Sequence, residues 1–341
     1  MEAPATVSLP RAVEVSSPAR LSFTLINLDG KSLRRNGIAS IAVEEPSMTA
    51  QVRLAGETAS VSGTQEETAG ELQAAVHKLR RLWDGPAATV TVTRPLPQHS
   101  GFGSKTTTLL GVGYAYARLC GRQPELRELS ATLGRGRTSG ASTNLARHGG
   151  FLVDCGHRNP PDFADDPHRY LLPSHFAQAV DPPTPLVKLP FPDWPILILA
   201  VEGRHIGGAE ELAWFKGFTP IPPEESWRTA QLVFMGLAPA IAEGDYDAFC
   251  ATVNELTFVS RFKHGQIALQ GQPVLGVLEA GRAEAAIDAI AMSSHGPSCF
   301  AFTRDTEAAR RWADGLRTAG VVKDFWFTRV RNHGLRATSL T

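Results

Sequence analysis

Cysteine is scarce in this chain: Cys120, Cys155, Cys250 and Cys299 lie far apart, and no two form a CxxC pair. That spacing excludes a disulfide framework and a structural zinc site, and it predicts reduced thiols in a cytoplasmic protein. Net charge is lacking too. Lys plus Arg total 34 and Asp plus Glu total 34, so no overall field gathers nucleic acid or an anionic membrane. Any anion must be held by local positive charge. The longest aliphatic run, Ile196 to Val201, falls far short of the roughly 20 residues that span a bilayer. The first residues are acidic and show no basic-then-apolar leader. Internal repeats and low-complexity segments are absent as well.

What is present is a globular composition, 43% apolar and 20% charged, over 341 residues, enough for two cores of ordinary size. The first nineteen residues, with Pro and Ser among short apolar stretches, predict an irregular lead-in or an edge strand. Strands are expected from Arg20 to Leu28, stopped by Gly30, and over 38–46, 51–56 and 87–97. Leu72, Val76 and Leu79 share one face of a helix over 66–83. A second helix runs to Leu119 with Gly121 closing it, and a third opens at Pro124 and closes at Gly134. A further strand and turn are expected over 148–158. Residues 159–195 are dense in proline, which places a boundary between an N-terminal domain (1–185) and a C-terminal domain (186–341). The second half opens on the strand PILILAV. It continues through helices over 223–242 and 245–262, a helix over 305–319 and a strand over 325–330, an α+β sandwich. The helices over 223–262 offer a face for a homodimer.

Two loops carry the chemistry. Ser100-Gly101-Phe102-Gly103-Ser104-Lys105-Thr106 joins a strand to a helix. Its glycines let backbone approach a ligand closely, and the helix behind it offers unpaired N–H groups and a positive dipole end. Ser104 and Thr106 add hydroxyls, and Lys105 adds a point charge. The spacing is neither that of a Walker A loop nor that of a dinucleotide fingerprint. The second loop, residues 134–144, sets Arg135 and Arg137 among glycines beside Thr138, Ser139 and Gly140, and arginine in an open loop grips phosphate or carboxylate in bidentate fashion.

Taken together, residues 95–106, the Thr138-Ser139-Gly140 segment and Ser293-Ser294-His295-Gly296-Pro297 resemble, in order, the three motifs of the GHMP kinase superfamily. The closer likeness is to its β-ribofuranosylaminobenzene 5′-phosphate synthase branch. It is carried by residues 20–30, 134–140, 149–157, 189–195, 207–211 and 292–297 and covers roughly 20 to 330. The resemblance implies a two-domain α+β GHMP-kinase-like fold: a ribosomal-S5-like N-terminal domain, and a C-terminal ferredoxin-like α/β sandwich. It also implies a transferase that takes phosphoribosyl diphosphate, with Mg²⁺, and an aromatic carboxylic acid. Such an enzyme releases pyrophosphate and CO₂ and leaves a C–C bond to ribose. Where the kinases place a catalytic Asp after the central Ser-Gly, this chain has Ala141, Ser142, Thr143 and Asn144, so no carboxylate is available there for phosphoryl transfer.

On that resemblance, Gly101, Phe102, Gly103, Ser104, Lys105, Thr106, Arg137, Thr138, Ser139 and Gly140 are expected to hold the phosphates. Arg20, Asp154 and His157 are the catalytic candidates, and Asn36, Asn144 and His295 are candidates for contact with the acceptor. C-nucleoside antibiotic synthases, which couple a pyrazole carboxylic acid by the same decarboxylative chemistry, resemble this branch. Arg137, Cys155, Phe102 and Lys105-Thr106 depart from the aminobenzoate-type pattern, and extra polar and cationic groups near the pocket point to the pyrazole acceptor. The aminobenzoate synthase is the alternative. An ATP-dependent small-molecule kinase and a non-catalytic phosphate-ligand sensor are further readings.

Overall fold

The computed structural model describes residues 9–56 and 59–340. Its first elements, in chain order, are β1 (Ala12–Asn27), β2 (Arg34–Leu54), β3 (Ser60–Ser62), α1 (Glu66–Trp83), β4 (Ala88–Arg94), α2 (Ser104–Leu119), α3 (Leu126–Thr132), α4 (Ala141–His148), β5 (Phe151–Asp154), β6 (His157–Arg158) and β7 (Pro185–Leu189). There follow β8 (Ile196–Val201), α5 (Gly208–Phe218), α6 (Pro223–Leu232), α7 (Ala238–Glu243), α8 (Tyr246–Phe258), α9 (Arg261–Gln270), α10 (Gln272–Ala283), β9 (Ala289–Met292), β10 (Cys299–Phe302), α11 (Thr306–Thr318), β11 (Val322–Thr328) and β12 (Arg336–Leu340).

The first sheet runs β12-β1-β2-β4-β3, with β5 paired to the first half of β2 and β7 paired outside β5. The second runs β11-β8-β10-β9, all antiparallel. Strand 1 lies between strands 4 and 3, and helices follow strands 1 and 3, which is the βαββαβ ferredoxin-like order. The α+β architecture with a ferredoxin-like second sheet is therefore as expected. The Ile196–Val201 run is apolar throughout because both of its faces are covered. Ile196 and Ile198 pack with Phe23, Phe249, Phe300 and Phe302 in a core reaching into the first sheet. Leu197 and Leu199 pack with Val277, Ile290 and Ala309 on the other side.

Four expectations need correction. Residues 12–19 are neither irregular nor an edge; they form the buried start of β1, paired with β2 on one side and, over 12–16, with β12 on the other. Residues 1–8 of that expected lead-in lie outside the described residues. The strands expected at 38–46 and 51–56 are one strand that carries Pro46 through a register shift opposite Pro18/Ala19, where a proline's missing donor is tolerated. The loop expected over 134–144 becomes helix at Ala141. The helix expected over 245–262 ends at Phe258, and residues 261–283, mostly given no element from sequence, form α9 and α10.

The helix expected over 223–242 is continuous through α6 and α7, but it widens to π geometry over Val233–Leu237. Pro239 follows at once and cannot donate to the preceding turn, which is a physical reason for the bulge there. Within this stretch Trp227 and Met235 are exposed. Across the expected domain boundary, β7 hydrogen-bonds to β5 and β12 to β1. Among the described residues no helix is long and apolar enough to cross a membrane.

Candidate active site

The glycine loop sits where it does because β4 ends in Arg94 and Pro95 and the chain must turn back into α2. Gly101 and Gly103 both take left-handed backbone, with φ +84° and +72°. A Cβ at Gly101 would lie 2.3 Å from the Ser293 carbonyl oxygen, so only glycine fits. Ser293 fixes this contact. Its hydroxyl donates to the Gly101 carbonyl (2.8 Å) and accepts from the Ser22 amide (3.1 Å). One buried serine thus ties β1, the glycine loop and the 293–298 turn into a single frame. Helix α2 opens at Gly103 without a side-chain cap, which leaves its first amides free to face an anion.

These elements wall a cleft of about 680 Å³, within the usual range for a small-molecule site. Its lining carries four cations (Arg20, Lys105, Arg135 and Lys263) against two carboxylates, Glu67 and Glu211. Arg20 comes from β1. Among the described residues its side chain makes no hydrogen bond, and its Nη1 is shut off from solvent without a partner. Burial pulls its pKa down to about 10. Lys263 on α9 is 1% exposed, and its Nζ donates to the Met292 carbonyl (2.7 Å). Burial lowers its pKa to about 7, and Arg20 adds to the fall. Arg135 donates from Nε and Nη2 to the Thr106 hydroxyl (3.1 and 2.9 Å), so the second loop is held against the start of α2. Lys105 is pinned by Glu71 (2.6 Å) and Glu67 (3.4 Å) on α1. At the mouth the exposed rings of His99 and His205 lie 3.6 Å apart.

Opposite the cations stands Glu211 in the first turn of α5, its Oε1 3.6 Å from His295 Nε2. Burial raises the Glu211 pKa to about 7. Burial, with Lys263 and Arg20 nearby, drives His295 down to about 3, so the ring is neutral. Phe215 and Trp214 pack around His295, with ring centroids 5.8 and 5.4 Å away.

Among the residues expected from sequence, Arg20, Gly101, Gly103, Ser104, Lys105, Thr106, Thr138, Ser139 and His295 line this cleft. Others lie elsewhere. Phe102 is buried and packs toward Trp326 at 6.2 Å. Gly140 and Asp154 lie behind the second loop. The buried Asp154 accepts from the Gly140 and Gly156 amides at 3.0 Å each, which holds the loop and the strand end together. Burial lifts its pKa to about 7 against the pull of those bonds.

His157 contacts the Asp181 carbonyl (3.1 Å), and burial lowers its pKa to about 4. Asn144, in α4, donates to the Pro183 carbonyl (2.9 Å). Arg137 and Asn36 line a small crevice with Arg35, Arg169 and Tyr170, which adjoins the cleft at Thr138.

Lys263, Glu211 and Gln266 are cleft residues that sequence reasoning did not pick out. The available signal was a cation and an amide, Lys263 and Gln266, one turn apart beside Phe262 and Ile267 on the buried face of a helix. A buried lysine among apolar neighbours is costly, so its presence points to function.

Curated relatives extend over nearly the whole chain. A β-ribofuranosylphenol 5′-phosphate synthase of Methanothermobacter thermautotrophicus is 31% identical over 300 residues, covering 85% of this chain and 88% of its own length. One of Archaeoglobus fulgidus is 28% identical, covering 95% and 98%. Solved structures with the same fold include a homoserine kinase from Cytophaga hutchinsonii (TM-score 0.66, 16% identity, 98% of this chain and 100% of that one). Another is a mevalonate diphosphate decarboxylase from Staphylococcus aureus (TM-score 0.66, 11% identity, 96% and 98%). The chain matches no protein-family model.

Proposed function

We propose, from the premise that the chain belongs to the β-ribofuranosylphenol 5′-phosphate synthase family, that it joins the ribose 5-phosphate unit of phosphoribosyl diphosphate to the ring of a benzoic acid. The acceptor carries a hydroxyl or amino group opposite its carboxylate, and pyrophosphate and CO₂ are released. The observation that carries this reading is the excess of cations around the free amides of α2, in a cleft whose α4 start, Ala141 to Asn144, offers no carboxylate. Such a site grips a diphosphate and, where the kinases place their catalytic Asp, supplies no base for activating an alcohol toward phosphate.

Of the residues that pointed to a pyrazole acceptor, Lys105 and Thr106 line the cleft, and the others do not. Arg137 opens on another crevice. Cys155 is engaged by Arg34, whose Nη2 is 3.2 Å from its Sγ, and Phe102 is core. Lys105 is matched by two glutamates. The relatives' name, a ribofuranosylphenol phosphate synthase, supports the benzene-type acceptor, which was the alternative on sequence.

In this mechanism the amides of Ser104, Lys105 and Thr106, with Arg20, Lys263 and Arg135, stabilise the departing diphosphate as the C1′–O bond breaks. The apolar side of the cleft, with Leu25, Ile206 and Phe215, holds the ring against C1′, and orientation supplies much of the rate. Among the described residues no cluster of three His, Cys, Asp or Glu side chains builds a metal site. The lining fits a Mg²⁺ carried mainly by diphosphate oxygens and water, with the Glu67 carboxylate and the Ser104 hydroxyl as protein oxygens at that end. Bound there, Mg²⁺ would neutralise diphosphate charge.

The test mixes the protein with phosphoribosyl diphosphate, Mg²⁺ and, separately, 4-hydroxybenzoate, 4-aminobenzoate or an aminopyrazole dicarboxylate, following pyrophosphate, CO₂ and product mass. Equimolar release with a benzoate is expected. Release with the pyrazole alone, or ATP-dependent phosphorylation without pyrophosphate release, would overturn the proposal.

A further inference from the structure

The polar atoms of the Glu211 and His295 side chains are not used in hydrogen bonds among the described residues. Among the described residues the Glu211 carboxylate makes no hydrogen bond, its 3.6 Å approach to His295 being its one polar contact. His295 Nδ1 is buried without a partner. Glu210, next in sequence, behaves as surface acids do and pairs outward with Arg204. Glu211 instead lines the cleft beside Phe215.

Both members of the pair are rigidly placed. Glu211 sits on a helix, and the 293–298 turn is fastened by the Ser293–Gly101 bond, by the Gly296 amide on the Ser293 carbonyl (2.8 Å) and by Gln270 on the His295 carbonyl. Buried polar groups left open beside aromatic walls are partners for a ligand.

Resting on the function proposed above, we propose that Glu211 is the group that accepts the proton of the acceptor's ring hydroxyl, with His295 as the positioning residue behind it, and that this pair selects acceptors bearing a proton donor opposite the carboxylate. The chemistry calls for such a group. The ring carbon bearing the carboxylate attacks C1′ as the C1′–O bond to diphosphate breaks. That carbon is nucleophilic when the opposite hydroxyl releases its proton, so Glu211 takes the proton as the C–C bond forms and a dienone results. The C–CO₂ bond then breaks, its electron pair restores the aromatic ring, and Glu211 returns the proton to oxygen. No proton is gained or lost overall, and no oxidant is needed. An amino substituent donates a hydrogen bond to the same carboxylate.

The charged and titratable groups near Glu211 are His295 at 3.6 Å, Lys263 from α9 and Arg20 from β1 in the same cleft, His205 in the segment before α5, and the neighbouring Glu210, which is paired with Arg204. Lys263 also titrates near 7, so the limb must be assigned by substitution. Glu211 must be ionised, which gives an activity rising with pH through about 7.

The experiment compares wild type, Glu211→Gln and Glu211→Asp with 4-hydroxybenzoate and 4-methoxybenzoate, and it measures pyrophosphate binding by calorimetry. Wild type is expected to favour the hydroxy acid by about 100-fold or more, the usual scale of proton-transfer catalysis. Glu211→Gln should lose about the same factor with that acid, lose the acid limb and still bind pyrophosphate. If Glu211→Gln no longer binds pyrophosphate, Glu211→Asp decides, with the limb expected to persist at a reduced rate. Equal turnover of the two acids by wild type, or an acid limb and rate unmoved in the variants, overturns the assignment. Absence of any turnover by wild type refutes the proposed function instead.

His295→Asn should lower kcat for the hydroxy acid, shift the limb and spare pyrophosphate affinity. An unmoved limb would remove His295 from the pair.

Discussion

Replacing Arg20 with methionine should make the ligand-free protein more stable and the ligand-bound protein weaker. The guanidinium lines the cleft without a hydrogen bond among the described residues, and one of its nitrogens is sealed from solvent. Burial takes its pKa from 12.5 to about 10, which at 1.36 kcal/mol per pKa unit is a penalty on the cation of about 3 kcal/mol. Discounting for the side of the group open to the cleft leaves on the order of 1–2 kcal/mol to be regained by an apolar side chain of similar length. A gain of that size should raise Tm by about 1–3 °C in a protein of this length.

Bound diphosphate reverses the balance. A hydrogen bond from a charged donor contributes about 1.5–3 kcal/mol, so Arg20→Met should weaken pyrophosphate affinity roughly 10- to 150-fold. Scanning calorimetry with and without pyrophosphate reads both effects, and titration calorimetry gives the affinity directly. A variant that is less stable when empty and binds pyrophosphate as wild type does would refute the reasoning, because Arg20 would then be a structural cation with a partner.

Three further outcomes follow from the same site. Lys263 is charged below about 7, so pyrophosphate affinity in wild type should fall as pH rises from 6 to 8. Lys263→Met should bind more weakly at pH 6 and lose that slope in a titration series. His295 has a folded pKa depressed to about 3 against an unfolded value near 6.5. Its stabilising contribution is therefore complete above 6.5 and is lost as pH falls toward 3, at up to about 1.4 kcal/mol per pH unit. A His295→Gln variant should show a flatter denaturant midpoint between pH 6 and 4, and an unchanged slope would contradict its burial in the neutral form. Gly101→Ala forces a Cβ to 2.3 Å from the Ser293 carbonyl at φ +84°, a strain on the order of 1–3 kcal/mol. It should lower Tm and pyrophosphate affinity together, and loss of neither would show that the loop relaxes freely.

Local chemistry made part of the protein legible from its residues alone. Glycines at 101 and 103 followed by a helix imply an anion loop, because the left-handed turn and the free amides belong to consecutive residues. The helices over 66–83 and 104–119, the strand at 196–201 and the absence of a carboxylate at 141–144 were legible for the same reason.

Tertiary structure decided which side chains face the cleft. Arg135 and Arg137 are two residues apart in one glycine-rich loop, and no periodicity says that the first meets Thr106 while the second reaches the Ala177 carbonyl in the adjoining crevice. Asp154 and His157 read as catalytic from their glycine-flanked turn, yet the pairing of β5 and β6 with β2 places them behind the loop, where backbone amides and a carbonyl occupy them. Lys263 and Glu211 lie 52 residues apart, and only the packing of α5 and α9 around the 293–298 turn brings them to one cleft. Burial, which sets every shifted pKa in that cleft, depends on what packs against a side chain from distant parts of the chain.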